Sequence, residues 1–147
     1  MSISLRKIEK KDKSLLLHWR NDPSIYLLSS QKRKVTLEEH DRWFPKLLED
    51  DKSLNFIVTQ DQDIGQLRLS FIEMNTYQIT MFFIEKYRKM GLGSDVLQIV
   101  EKTILKKGDK VIADVLSENI SSQNFFLKNG FRIKNKRENM IVLKKSI

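Results

Sequence analysis

Apolar positions along the chain change period several times, and each change predicts an element. Ile3-Ser4-Leu5-Arg6 alternates and predicts a first strand. From about Asp12 to Arg20 the apolar residues Leu15, Leu16 and Trp19 recur at helical spacing, with Asp12 placed to cap the helix and Asn21-Asp22-Pro23 to end it. Thr36-Leu37-Glu38-Glu39 is a capping-box sequence. It opens a second helix whose inner face carries Leu37, His40, Trp43, Phe44 and Leu47, and Pro45 predicts a kink or restart in it. Strands follow at Leu54 to Thr59, Ile64 to Ile72 and Thr76 to Ile84, joined by the polar turns Gln60-Asp61-Gln62-Asp63 and Glu73-Met74-Asn75.

The period then lengthens again. Asp95 to Lys107 reads as an amphipathic helix, Lys110 to Val115 as a strand, and Asn119 to Lys128 as a helix closed by Asn129-Gly130. Phe131 to Ile133 and Met140 to Leu143 form a last hairpin. The predicted order is β-α-α-β-β-β-α-β-α-β-β. That is an α/β (α+β) domain with a mostly antiparallel central sheet and four helices, spanning residues 1–147.

Between the third meander strand and its helix lies Arg88-Lys89-Met90-Gly91-Leu92-Gly93-Ser94. A glycine-bearing loop between a strand and a helix start is suited to an anion. Glycines allow sharp turns and close approach, while the first helical N–H groups and the helix dipole point at one spot. The loop lacks the Gly-Lys-Ser/Thr ending of a P-loop. It fails the G-x-G-x-x-G dinucleotide pattern because Val96 stands at the third glycine position.

Composition narrows the field. The chain has 147 residues, no cysteine and a formal charge of +8. A catalytic thiol and disulfides are therefore excluded. No apolar run approaches the roughly 20 residues of a membrane span, and the amino terminus has no secretory core, so a cytoplasmic location is expected. No metal site is expected either. The positive charge gathers at the glycine loop (Lys86, Arg88, Lys89), along its helix, and from Lys128 to Arg137. Such a field attracts polyanions, whether nucleic acid or a phosphorylated small molecule.

The pattern R-x-x-G-x-G at Arg88, Gly91 and Gly93 resembles the acyl-CoA pyrophosphate loop of the GNAT superfamily of N-acetyltransferases. Asn119 to Phe131 is similar to the same family's N-x-x-S/A…K-x-G-F signature, and the element order also matches. The resemblance implies the GNAT fold, in which the strand before the glycine loop and the strand after its helix are parallel but splay apart at the acyl-CoA site, and acetyl-CoA as co-substrate. Met81, Phe82, Phe83 and Ile84 would pair with the pantetheine arm. The loop Arg88, Lys89, Met90, Gly91, Leu92, Gly93 and Ser94 would grip the pyrophosphate, and Asn119, Ser122, Phe125 and Lys128 would line the other wall. Two positions depart from the family pattern. Phe126 stands where many relatives have a tyrosine acid, and Gln78 where many have a glutamate base. Glu39 and His40 are the candidates for base; for the acid, a water, Ser122 or another group takes the tyrosine's place, or the thiolate leaves unassisted.

For the acceptor, His18-Trp19-Arg20-Asn21-Asp22, the stretch Glu39-His40…Trp43-Phe44 and Ile64-Gly65-Gln66-Leu67-Arg68 resemble N-acetyltransferases that modify nucleotide-linked amino sugars in pseudaminic-acid-type biosynthesis. Ribosomal-protein N-terminal acetyltransferases are similar to a lesser degree. The expected acceptor contacts are Trp19, Arg20, Asn21, His40, Trp43 and Arg68, with the two arginines on a diphosphate. The partner is then a small amine, with no membrane, and a homodimer is compatible. A basic nucleic-acid-binding module is the rival of another class, but it leaves the glycine loop unexplained.

Overall fold

The computed structural model describes residues 2–147. Seven strands form one sheet in the order β1-β2-β3-β4-β5-β7-β6. They are β1 (Ser4–Lys7), β2 (Leu54–Gln60), β3 (Gln62–Glu73), β4 (Thr76–Phe83), β5 (Lys110–Leu116), β6 (Arg132–Lys136) and β7 (Met140–Ser146). Only β4 and β5 run parallel. The helices are α1 (Lys13–Arg20), α2 (Pro23–Tyr26), α3 (Leu37–Glu49), α4 (Leu92–Ile99) and α5 (Ile120–Lys128).

Strand alternation divides the core. Val58, Leu67, Leu69, Ile79, Val111, Ala113, Val115 and Leu143 face the side covered by Leu92, Val96, Leu97 and Val100 of α4 and Phe126 of α5. Ile57 faces the other side, where Leu16 and Trp19 of α1 and Phe44 and Leu47 of α3 close over it. Each fully buried leucine here is worth about 1.5–3 kcal/mol over an exposed one. The helices of the second face reach β4 at Phe82, edge-on to Trp19, and leave the rest of that face from β4 to β6 open.

Several expected boundaries move for local reasons. The β2–β3 turn is tighter than four residues because Asp61 adopts φ 67, and Asn75 at φ 61 serves the next turn in the same way. The helix expected from Asp95 starts three residues earlier, after Gly91. It loosens into a π-type turn at Val100–Ile104, where the Leu105 N–H donates to the Val100 carbonyl at 2.8 Å. Pro45 lies inside an uninterrupted α3; its missing N–H deprives the carbonyl of the exposed Asp41 of its helical donor. Leu37, expected inside, is 60% exposed at the first turn of α3. Asp12 holds the capping position of α1, but its carboxylate turns away to a fork with Arg6 (2.8 Å twice) and to the Glu9 N–H (2.8 Å). The extra turn α2 begins at Pro23, with Asp22 Oδ1 accepting from the Ser24 N–H at 2.9 Å.

Candidate functional site

The parallel pair comes apart. β4 and β5 are in register only at Thr76↔Lys110, Tyr77↔Val111 and Gln78↔Ile112. Beyond these, both strands continue without pairing each other, and a gap opens between them. The Ile84 N–H donates to the Ile64 carbonyl of the β3 side at 2.9 Å. In an antiparallel ladder the direction of the backbone groups alternates, so Phe82 and Ile84 are spent on β3 while Met81 and Phe83 turn theirs toward the gap, where the Phe83 carbonyl is taken by Arg88 Nε and its N–H is left. Of the four expected pantetheine contacts, Met81 and Phe83 thus present backbone groups to the gap, and Phe82 and Ile84 do not.

The glycine loop closes the wide end of the gap. Lys89 (φ 59) and Gly91 (φ 77) are both left-handed, which folds the chain into a nest before α4. The first turn of α4 leaves the N–H groups of Leu92, Gly93 and Ser94 without helical acceptors. The two glycines serve different ends. A Cβ at Gly91 would meet nothing within 4 Å, so its backbone angle is what demands glycine. A Cβ at Gly93 would lie 2.8 Å from the Phe125 ring, so packing demands it there. Phe125 and the bond from Asn129 Nδ2 to Ser94 Oγ (3.2 Å) tie α5 to α4 across the gap. Lys89 and Met90 are exposed on the rim. Arg88 does not point at the cradle. Its Nε donates to the Phe83 carbonyl at 2.8 Å and its Nη2 to Ser24 Oγ at 3.1 Å.

On the far wall, Asn119 Oδ1 caps α5 by accepting from the Ser122 N–H at 3.1 Å, while the Ser122 hydroxyl is bonded to none of the described residues. Lys128 is exposed at the last turn. Phe126 is buried, edge-on to Phe125 (5.1 Å) and Phe131 (4.9 Å).

The acceptor-side expectations need correction. His40 is fully buried. Its Nε2 lies 2.7 Å from the Lys13 carbonyl oxygen, which only accepts, so Nε2 carries the proton. Its Nδ1 then accepts from Arg20 Nη1 at 3.1 Å. Burial, and then Arg20 and Lys13, hold its pKa below the ordinary histidine value. With both nitrogens committed and no exposure, His40 is neither a base nor an acceptor contact. Glu39 is forked to Arg33 (3.0 and 2.7 Å) and accepts from the Thr36 N–H. Arg33 above all lowers its carboxyl to about 2, far from the range of an effective base at neutral pH. Trp19 is 4% exposed, edge-on to Phe82, and belongs to the core. Asn21 spends both side-chain groups on the Val35 backbone (3.0 and 2.7 Å), clipping α1 to the segment before α3.

Three acceptor-side residues remain. The Arg20 guanidinium lies 4.1 Å over the half-buried Trp43 ring. Arg68, opposite Asn55 in the β2–β3 register, keeps Nε buried without a partner, and so does the Asn55 Oδ1. Burial lowers the pKa of both arginines, and neither forms an ion pair among the described residues.

One residue escapes a reading of the sequence. Asp114, on β5 two steps past the last paired residue, turns to the open sheet face and accepts from Gln78 Nε2 at 3.2 Å. Its signal is a single carboxylate in the otherwise apolar run Val111-Ile-Ala-Asp-Val-Leu116, with Ala113 and Val115 buried on the opposite side. Among the described residues no helix is long and apolar enough to cross a membrane.

A split parallel pair with a backbone nest at its wide end and a carboxylate at its closed end is the architecture of an acyl-transfer site fed by a phosphorylated thioester. The chain belongs to the GNAT acetyltransferases: the model of the acetyltransferase (GNAT) domain matches residues 2–132. It is accordingly an N-acetyltransferase with acetyl-CoA as co-substrate. The chain is similar, at 25% identity over 129 residues, to acetyltransferase PseH of Campylobacter jejuni, covering 86% of this chain and 81% of that one. Its fold is similar to an acetyltransferase from Thermus thermophilus (TM-score 0.84, 21% identity, 100% and 98% of the two chains). It is also similar to a spermidine N-acetyltransferase from Vibrio cholerae in complex with CoA and spermine (TM-score 0.81, 18% identity, 98% and 95%).

Proposed function

We propose that the chain acetylates the free amine of a nucleotide-linked amino sugar. The observation that carries this reading is the pair Arg20 and Arg68: two half-buried guanidiniums on the acceptor face with no carboxylate partner. Buried unpaired cations are costly unless an anion joins them, and a forked donor suits a phosphate. The net charge of +8 and the similarity to PseH support the same class. A polyamine, the acceptor of the Vibrio neighbour, would meet repulsion on this face.

The thioester lies at the far end of an extended arm that begins at the glycine loop, and so toward the closed end of the gap. A gap-facing N–H of β4 steadies its carbonyl oxygen as negative charge develops. The amine, stripped of its proton by Asp114, attacks the carbonyl carbon; the C–N bond forms as the C–S bond breaks. Ser122 donates its proton to the departing sulfur and regains the second proton that nitrogen loses as the amide forms, in place of the tyrosine that Phe126 replaces. Much of the rate comes from holding two reactants in line.

The deciding experiment is an acetyl-CoA turnover screen against an amino-sugar nucleotide, peptides beginning with alanine or serine, and spermidine, read by thiol release. Turnover fastest with the nucleotide is expected. Faster acetylation of peptides, with none of the nucleotide, would replace this reading with a protein N-terminal acetyltransferase.

A further inference from the structure

At the closed end of the gap, on the open sheet face, lies a groove of about 310 Å³. Its floor includes Gln78, Ile112 and Asp114, and one wall is Lys134, Asn135 and Arg137, from β6 and the turn after it. Lys134 reaches this wall through a backbone irregularity. Ile133 pairs with Leu143 and Asn135 with Val142, so Lys134 is an extra residue in β6. A bulge of this kind breaks the strict alternation and re-aims a side chain, and bulges are common beside active sites. Here it lets both Lys134 and Asn135 line the groove. Neither Lys134 nor Arg137 forms an ion pair among the described residues, and the only carboxylate in the lining, Asp114, is engaged by Gln78.

The groove therefore offers two uncompensated cations beside one carboxylate. A ligand that matches carries an amine and an anion on the same small unit, because the volume is at the low end of the range for small-molecule sites, about 300–1,000 Å³. Arg68 belongs to a separate place on the same face. It stands opposite Thr80 in the β3–β4 register, two residues along β4 from Gln78. Two strand steps are about 7 Å. The cations of β3 and those of β6 thus flank the Gln78–Asp114 pair from opposite sides.

We infer that Lys134 and Arg137 bind the phosphate attached directly to the acceptor's sugar ring, while Arg20 and Arg68 meet the part of the nucleotide beyond it. The inference rests on the sugar-nucleotide reading above and divides its phosphate recognition between two walls. The hairpin wall makes the amino-sugar 1-phosphate the smallest acceptor distinguished from the free amino sugar.

Three acceptors test it: the amino-sugar nucleotide, the amino-sugar 1-phosphate and the free amino sugar. In the unaltered protein, kcat/KM falls at each truncation. The double change Lys134→Met and Arg137→Met keeps the aliphatic stems and removes the charges. It should lower kcat/KM for the 1-phosphate about tenfold to a hundredfold, chiefly through KM. It should leave the free sugar and the acetyl-CoA affinity unchanged, and Lys134→Arg with Arg137→Lys should restore the preference. Arg68→Ala should instead affect the nucleotide and spare the 1-phosphate. Equal loss for all three acceptors, or no loss, overturns the inference. An unaltered protein that uses none of the three overturns the sugar-nucleotide reading itself.

Discussion

The two faces of the sheet are built on opposite terms. On the face covered by α4 and α5, an apolar core runs up to the gap, and the groups offered to a ligand are backbone: the gap side of Met81 and Phe83 and the N–H groups of the glycine loop. On the face partly covered by α1 and α3, side chains do the work, and several are left wanting: Arg20 and Arg68 without counter-charge, and the Asn55 Oδ1 and Arg68 Nε without a hydrogen bond. A backbone site needs only the right turn and a place for glycine. A side-chain site needs residues from distant strands to converge.

The comparison can be broken most severely at its meeting point. Asp114→Asn keeps the Gln78 neighbour but removes the proton acceptor; turnover should fall by about a hundredfold to ten-thousandfold with acetyl-CoA affinity unchanged. A mutant that retains full activity would remove Asp114 from the chemistry. Gly93→Asp strikes the donor face alone. Its side chain meets the Phe125 ring and sets a negative charge at the cradle, so calorimetry should show acetyl-CoA affinity falling about a hundredfold, equivalent to roughly 2.7 kcal/mol. Unchanged affinity in a folded mutant would detach the loop from the pyrophosphate. Arg68→Ala strikes the acceptor face alone. It should raise acceptor KM by about one to two orders of magnitude, the loss of one charge-assisted contact, and leave acetyl-CoA titrations as they were.

The smallest effect concerns stability. His40 resists protonation in the folded protein because it is buried, whereas the unfolded chain protonates it near 6.5. The unfolded state then binds more protons, so stability should drop as the pH falls below about 6.5, down to the lowered folded value. Glu39, held low by Arg33, adds a second loss only at more acidic pH. Melting temperatures followed downward from neutral pH should show the first decline, at about 2–4 °C per kcal/mol in a chain of this size. His40→Gln, which can donate to the Lys13 carbonyl and accept from Arg20, should flatten it. An identical slope in that variant would assign the decline to other groups.

How much the sequence discloses follows the same division. The donor half is only partly legible: a strand, two glycines and a helix start within one stretch are local signals, but they do not disclose that Arg88 turns to the Phe83 carbonyl and Ser24, or that Phe82 and Ile84 spend their backbone groups on β3. The acceptor half misleads because periodicity gives the face of a residue but not its partners. His40 and Trp19 do lie on inner faces, yet that placement buries them rather than presenting them to a ligand. Glu39 and Asn21 have the chemistry of functional groups, but a capping box and a backbone clip consume them. Asp114 goes unnoticed because its significance depends on where β4 and β5 part, and no local pattern encodes that point.

The basic outer strand β6 has a consequence for how many copies of the sheet can join. It lies at the sheet edge, and an exposed edge is a template for pairing with another chain. Two copies meeting there antiparallel about Lys134 would set that lysine against itself and Arg132 against Lys136. Like charges directly opposite one another are destabilising. The bulge at the same residue further disrupts the ladder that such pairing requires. Aggregation through this edge is thus discouraged by the same strand that supplies Lys134 to the groove.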